Sequence, residues 1–319
     1  MKTLLLTALA AAIVYSAQAQ NNTLSLSQMG TGNQAPLSQR GAGNAGAVTV
    51  SGDNNNVAFE QSGNNLTGSV SIVGSRNNAF VQADHYANQT AIRQAGNNNA
   101  AQVYALSRSD HNQLSFTQIG DGNNGYAMSA ERSDDNQIAV SQIGNRNTGE
   151  SYSYYHSTHN RINLSQSGEA NVGFAGASNS DRNHLSLVQQ GNQNHGFIGA
   201  YDGSSNQGSI SQTGEHNNAQ VSQAGSLNTA FVRQEGDGNT LKALDPAPGE
   251  RIRIRYLGAV QQGNENRLLL NQTGDGNALH FRQTGSGNAL TLSQTGDGNV
   301  LRFGQMGSNN TAAVTQAAF

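Results

Sequence analysis

The stretch Gln272-Thr-Gly-Asp-Gly-Asn277-Ala-Leu-His-Phe-Arg-Gln283-Thr-Gly-Ser-Gly-Asn288 decides the fold. Asn277, Leu279, Phe281 and Gln283 alternate with Ala278, His280 and Arg282. Period-two alternation is the signature of a strand with one face buried. Thr284 to Gly287 then read as a tight turn, in which glycine supplies the positive φ the chain needs. One strand and one turn occupy each unit, and two units make a strand-turn-strand arch. Arches stacked on one axis give two facing parallel sheets, so the expected class is an all-β solenoid.

The pattern Gln-x-Gly-x-x-Asn recurs outward in both directions. Full copies open at Gln28, Gln39, Gln61, Gln94, Gln118, Gln142, Gln166, Gln189, Gln212, Gln223, Gln234, Gln261, Gln272, Gln283, Gln294 and Gln305. Weaker copies are read at Val50, Ile72, Ala83, Ser107, Glu131, Tyr155, Ser178 and Tyr201. Asn fills its position in every unit but one, where Leu66 stands. The longer spacing before Ser107, Glu131 and Tyr155 preserves side-chain parity and predicts longer strands there. The odd spacing before Ser178 and Tyr201 predicts a bulge near Gly176 and Gly199. Inward pairs alternate between bulky (Leu114/Phe116, Ile138/Val140, Ile162/Leu164) and small (Gly125/Ala127, Gly149/Ser151, Gly173/Ala175). Large side chains should therefore meet small ones across the core, as close packing requires.

Buried amides are costly unless satisfied, and a parallel stack lets each one bond its equivalent a rung away. The expected core ladder includes Gln118, Asn123, Gln142, Asn147, Gln166, Asn171, Gln272, Asn277, Gln283, Asn288, Gln294 and Asn299. The matching turn glycines are Gly120, Gly144, Gly168, Gly274, Gly285 and Gly296. Leu66 should interrupt the ladder.

Composition narrows the function. The counts of Asn (41), Gln (30), Ser (32) and Gly (38) sum to 141 of 319 residues. With no cysteine there is no disulfide framework, thiolate metal site or cysteine nucleophile. A formal charge of −3 argues against nucleic acid as a partner. Residues 1–19 read as a secretory signal: Lys2, an apolar run from Leu4 to Val14, and a small-x-small site at Ala17-Gln18-Ala19. Residues 20–239 and 261–319 carry the repeats, and no later stretch is long and apolar enough to cross a bilayer as a helix. Residues 240–260 read as an insertion loop or arm, because they hold Pro246 and Pro248, and proline cannot donate to a ladder. Within it Arg251, Arg253 and Arg255 alternate with isoleucine and form a candidate surface anchor. His156-x-x-His159 lacks a recurring third ligand, and Gly-Asp-Gly-Asn lacks the nine-residue period of calcium-binding repeats, so no metal or other cofactor is expected. No nucleophile elbow or phosphate loop occurs, and the chain is not expected to be an enzyme.

The repeat, with Asn288-Ala-Leu-Thr-Leu-Ser-Gln294 and Asn217-Asn-Ala-Gln-Val-Ser-Gln223 as close copies, resembles the curlin repeat of bacterial curli fibres. The resemblance implies a secreted subunit that polymerises into extracellular amyloid, cross-β on assembly, for biofilm matrix and adhesion. It also implies export through the periplasm and a dedicated outer-membrane pore, with itself and other curli subunits or a nucleator as partners. This chain departs in having more arches than familiar members and in its insertion. The alternatives are a curli nucleator held at the cell surface and a soluble monomeric β-solenoid adhesin.

Overall fold

A computed structural model describes residues 21–243 and 259–317. The expected signal segment and the three arginines of the insertion lie outside the described residues. All regular structure among the described residues is strand. Odd- and even-numbered half-turns segregate into two sheets, and every pairing is parallel. The first sheet begins with Thr23–Met29 and ends with Thr311–Ala317. The second begins with Leu37–Arg40 and includes Val300–Met306. The expected β-solenoid is the architecture observed.

Register is exact through most of the stack: Ile138 lies on Leu114 below and Ile162 above, and Gln142 on Gln118 and Gln166. Parallel pairing in register puts like on like, which is what makes columns of one residue type. The core is the strip between the sheets, where Phe59, Phe116, Leu164, Leu187 and Phe281 are fully buried. Large-against-small packing is visible in the glycines. A Cβ on Gly125 would lie 2.1 Å from Phe116 Cζ, and one on Gly173 would lie 2.6 Å from Leu164 Cδ1. No side chain fits there, so glycine at these positions is a packing requirement.

Three expectations from spacing need correction. The strands before the wide turns are not longer: they are Ala100–Ala105, Asn124–Ala130 and Thr148–Tyr154, of 6, 7 and 7 residues. The extra residues widen the turn instead, where Ser107 and Arg108 take φ values of 60° and 62°. The position equivalent to glutamine is therefore Ala105, Ser129 and Ser153, not Ser107, Glu131 and Tyr155. Likewise Ala177 and Ala200 hold that position rather than Ser178 and Tyr201. Finally, no bulge lies at Gly176 or Gly199, which pair with each other in register. The odd residue is absorbed after the inward alternation has finished, where Asn179 and Asp202 take φ of 50° and 48°. Burial of Ala175 and Ala177 fixes parity up to that point, so the slip moves to the corner, where nothing is buried against it. Gly176 has another purpose: a Cβ there would meet the Tyr152 ring at 2.7 Å.

The insertion does not leave from a turn. Thr240–Ala243 and Ala259–Gln262 are two halves of one rung of the second sheet. Both halves pair with Asn218–Ala224 on one side and Ala278–Thr284 on the other.

Candidate functional site

The turn geometry explains the motif. Gly144 has φ 108°, outside the left-handed region open to other residues, and the next rung's Gly168 carbonyl oxygen would lie 2.0 Å from its Cβ. Gly120, Gly168, Gly274, Gly285 and Gly296 repeat this conformation, with φ from 91° to 115°. Two residues later every turn needs an ordinary left-handed residue, and Gly122, Asp135, Arg146 and His159 all serve there. Only the first position therefore selects for glycine, and His85, which replaces it in one turn, takes a φ of 74° instead. Where Ser109, Ser133 and Ser157 replace it, the wide turn supplies room, and the Ser109 hydroxyl accepts the Ser133 N–H at 3.0 Å.

The turns deliver asparagine and glutamine side chains into the core as columns. In the first sheet, glutamines bond without a break from Gln94 to Gln316. Gln118 Nε2 donates to Gln142 Oε1 at 2.8 Å, Gln142 to Gln166 at 2.9 Å, and Gln272 to Gln294 at 2.8 Å. Each Nε2 also donates to a backbone carbonyl of the facing sheet, as Gln166 does to Thr148 O at 2.9 Å. In the second sheet the column survives at both ends, through Gln39–Gln61 and through Gln223, Gln261, Gln283 and Gln305. Its middle is Ala83, Ala105, Ser129, Ser153, Ala177 and Ala200.

Asparagines form one column at each corner. One runs from Asn33 to Asn299 without interruption and includes Asn123, Asn147, Asn171 and Asn277. Asn147 illustrates the bonding: its backbone N–H and its Nδ2 both donate to Asn123 Oδ1, at 3.0 and 3.1 Å. The same Nδ2 donates to Gly168 O at 2.9 Å in the turn above. The other column, which holds Asn288, breaks at Leu66, which is fully buried and contributes only its N–H to Asn44 Oδ1.

The columns have direction. Glutamine amides donate toward the C-terminal end, whereas asparagine amides donate toward the N-terminal end. A column that starts abruptly leaves an acceptor over. Gln94 Oε1, above Ile72, and Gln223 Oε1, above Ala200, are both buried without a partner. Gln28 Nε2, below Val50, is the corresponding orphan donor.

Sequence reasoning missed two further columns. The residue after the turn glycine uses its Oδ1 to accept the backbone N–H one rung below: Asp121 from Asn97 (2.7 Å), Asn145 from Asp121 (2.9 Å), and Asp297 from Asp275 (2.9 Å). The recurrent Asp, Asn or Ser at this position was the available signal. The other is aromatic, on the outer face of the second sheet. Phe80, Tyr104, Tyr126, Tyr152, Phe174 and Phe197 occupy six successive rungs. Neighbouring ring centroids lie 5.2 Å (Phe80–Tyr104), 5.3 Å (Tyr104–Tyr126) and 4.9 Å (Phe174–Phe197) apart. Burial among these rings, with Tyr104 and Glu150 beside it, pushes the Tyr126 phenol up to about 12. At the edge of this face, burial and the nearby Glu60 raise the Asp84 carboxyl above its ordinary range.

At the corners His159 and Asp135 approach to 3.7 Å, and His85 Nδ1 lies 2.5 Å from Asp110 Oδ1. Among the described residues no three His, Asp or Glu side chains gather as a metal site would require. No helix among them is long and apolar enough to cross a membrane.

These features define a class: a parallel two-sheet solenoid whose interior is ruled by amide columns. Residues 214–242 and 263–296 match the curlin associated repeat. The chain therefore carries curlin associated repeats in these two segments. No curated protein matches it.

Proposed function

We propose that this chain is a secreted curli-type subunit that assembles end to end into extracellular amyloid fibres, serving as biofilm matrix and as a surface for adhesion. The observation that carries the reading is the direction of the amide columns at the ends of the described stack. At one end Gln316 and Gln305 accept through Oε1 from Gln294 and Gln283, so the sense of both columns assigns their Nε2 donors to a further rung. Gln39 at the other end belongs to a column that accepts through Oε1 from that direction. Inward side chains of the end strands, Leu24 and Leu26 at one end and Ala312 and Val314 at the other, are only partly covered. A row of unpaired backbone groups with half-covered apolar side chains is the template on which a further strand adds. Extending each column by one more rung satisfies both.

In the same reading the chain leaves the cell unfolded, through the periplasm and an outer-membrane pore, and Arg251, Arg253 and Arg255 contact an anionic cell surface. The test is growth of purified chain at micromolar concentration with and without preformed seeds. Seeds should abolish the lag, and aligned fibres should diffract at about 4.8 Å along the fibre and about 10 Å across it. A monomer that stays folded and unassembled would leave only the soluble solenoid.

A further inference from the structure

We infer that the outer face of the second sheet is a self-association surface, on which a second copy packs face to face with its stack running the opposite way. The inference rests on the fibre reading above, but concerns the sides of the stack rather than its ends.

The two outer faces differ in kind. Beside the rungs of the aromatic run the mid-strand outward positions of the first sheet are small or polar, as at Ser69, Ala91, Ser115, Ala139, Asn163 and Ser186; its larger outward side chains, Phe231 and Leu269, come further along the stack, and Ile119 and Ile143 lie at strand ends. Water covers such a face at no cost. The second sheet instead carries the aromatic run from Phe80 to Phe197, joined by Tyr154 and Tyr201 on the same strands. Within it Tyr104 Oη donates to Gln102 Oε1 at 3.1 Å, so a polar need is met inside the face. Aromatic side chains of this kind dominate interface energetics where they are clustered and flat. The run interlocks with the core pattern: it covers the rungs whose inward glutamine is replaced by Ala or Ser. Bulk has moved from the inside of this sheet to its outside.

Charge identifies the occupant as another copy and sets its direction. Glu60 and Asp84 lie on the rungs at the N-terminal border of the aromatic run, with the single base Arg40 on the rung before them. Lys242 and Arg302 lie beyond its C-terminal border, with His280 between them and Arg282 folded into the face. Glu150 is the one acid inside the run. A parallel mate would set acid on acid and base on base. An antiparallel mate sets the acidic end of each copy on the basic end of the other, and ring on ring between them. Periodicity matches as well, since both surfaces repeat at the same rung spacing of about 4.8 Å. Six aromatic rungs about 23 Å wide offer about 650 Å² per partner, and the charged flanks carry this past the roughly 800 Å² of a stable interface.

The test measures mass per length by electron microscopy on fibres of the full chain. Two chains are expected at each level of the stack, seen as paired filaments. Tyr126→Lys with Phe174→Lys should halve the mass per length while seeded elongation stays within about twofold. Ser115→Lys with Ser141→Lys, on the opposite face, should leave pairs intact. Lys242→Glu with Arg302→Glu should also separate the pairs, and adding Glu60→Lys with Asp84→Lys should restore them. Wild-type fibres with one chain per level, or pairs that persist in the aromatic variant, would overturn the inference. If the aromatic variant fails to elongate, Tyr104→Ser with Phe80→Ser, at two half-buried positions, gives the same reading with less perturbation. Absence of any fibre from the wild-type chain counts against the proposed function instead.

Discussion

Replacing one glutamine in the middle of a column should cost far more than replacing one at its start, although both are equally buried. Gln166 accepts from Gln142 Nε2 and donates to Gln189 Oε1, each at 2.9 Å. Gln166→Met keeps the shape of the side chain and removes both bonds, together with the one from Nε2 to Thr148 O, whose counterpart at Gln94 is the bond to Asn78 O. Gln142 Nε2 still donates to Asn124 O at 3.0 Å, but Gln189 Oε1 is stranded in the core. One new orphan acceptor costs about 1–3 kcal/mol, so the strands Arg161–Glu169 and His184–Gln190 should lose about 2 kcal/mol of local stability. Gln94→Met strands Gln118 Oε1 in the same way, but it also deletes Gln94 Oε1, which is an orphan already. The number of unpaired acceptors does not change, and the expected cost is under about 1 kcal/mol. Amide hydrogen exchange read by mass spectrometry resolves the two sites separately, which suits a stack that opens locally. Protection should fall about 30-fold around Gln166 and by less than about fivefold around Gln94, since 1.4 kcal/mol is a factor of ten. Equal losses at the two sites would refute the reasoning, because they would mean that burial rather than pairing sets the value of each amide.

The same logic predicts that Val50→Gln and Ile72→Gln help only together, because the pair joins Gln28 to Gln94 and satisfies both orphans; a double-mutant cycle should give a favourable coupling of about 1–3 kcal/mol. Gly144→Ala should abolish native protection of its turn, where a Cβ meets a backbone carbonyl oxygen at 2.0 Å. Gly122→Asn should be nearly silent in thermal melts, because φ there is 66° and only Arg146 Cγ, at 3.5 Å, lies near. Asp84 has its pKa raised in the folded state, so the native chain holds that proton longer than the unfolded one. Stability should therefore fall as pH rises from 3.8 through the folded pKa, and denaturation of Asp84→Asn should lack that component. At the alkaline end the raised Tyr126 pKa works in the same direction: absorbance of the ionised phenol should show this group titrating near 12, with stability declining between pH 10 and about 12.

Much of this was legible in the sequence because parallel stacking writes each column as a period. Gln118, Gln142 and Gln166 announce both the column and its register, and Leu66 announces its gap. The second sheet was harder to read between Ala83 and Ala200. There the residue that marks the end of the inward alternation is Ala or Ser, so counting from the next turn placed the unit one or two residues late. That error hid the aromatic run, because Phe80, Tyr104 and Tyr126 fall on one surface only once the strands are correctly aligned. The column after the turn glycine was hidden for another reason: Asp, Asn and Ser are common in any turn, and nothing in the sequence says that their oxygens reach the neighbouring rung.

The split rung has a practical corollary. Ala243 sits opposite Phe281 and Val260 opposite the next residue, Arg282, and Gln223, Gln261 and Gln283 remain bonded in line past the interruption. Removing 244–259 would therefore splice Thr240-Leu-Lys-Ala243 directly onto Val260-Gln-Gln262 as an ordinary strand. By the same token a foreign peptide grafted between Ala243 and Val260 would be carried outside the scaffold at a fixed interval, which makes this point a natural docking port for passenger sequences on an engineered fibre.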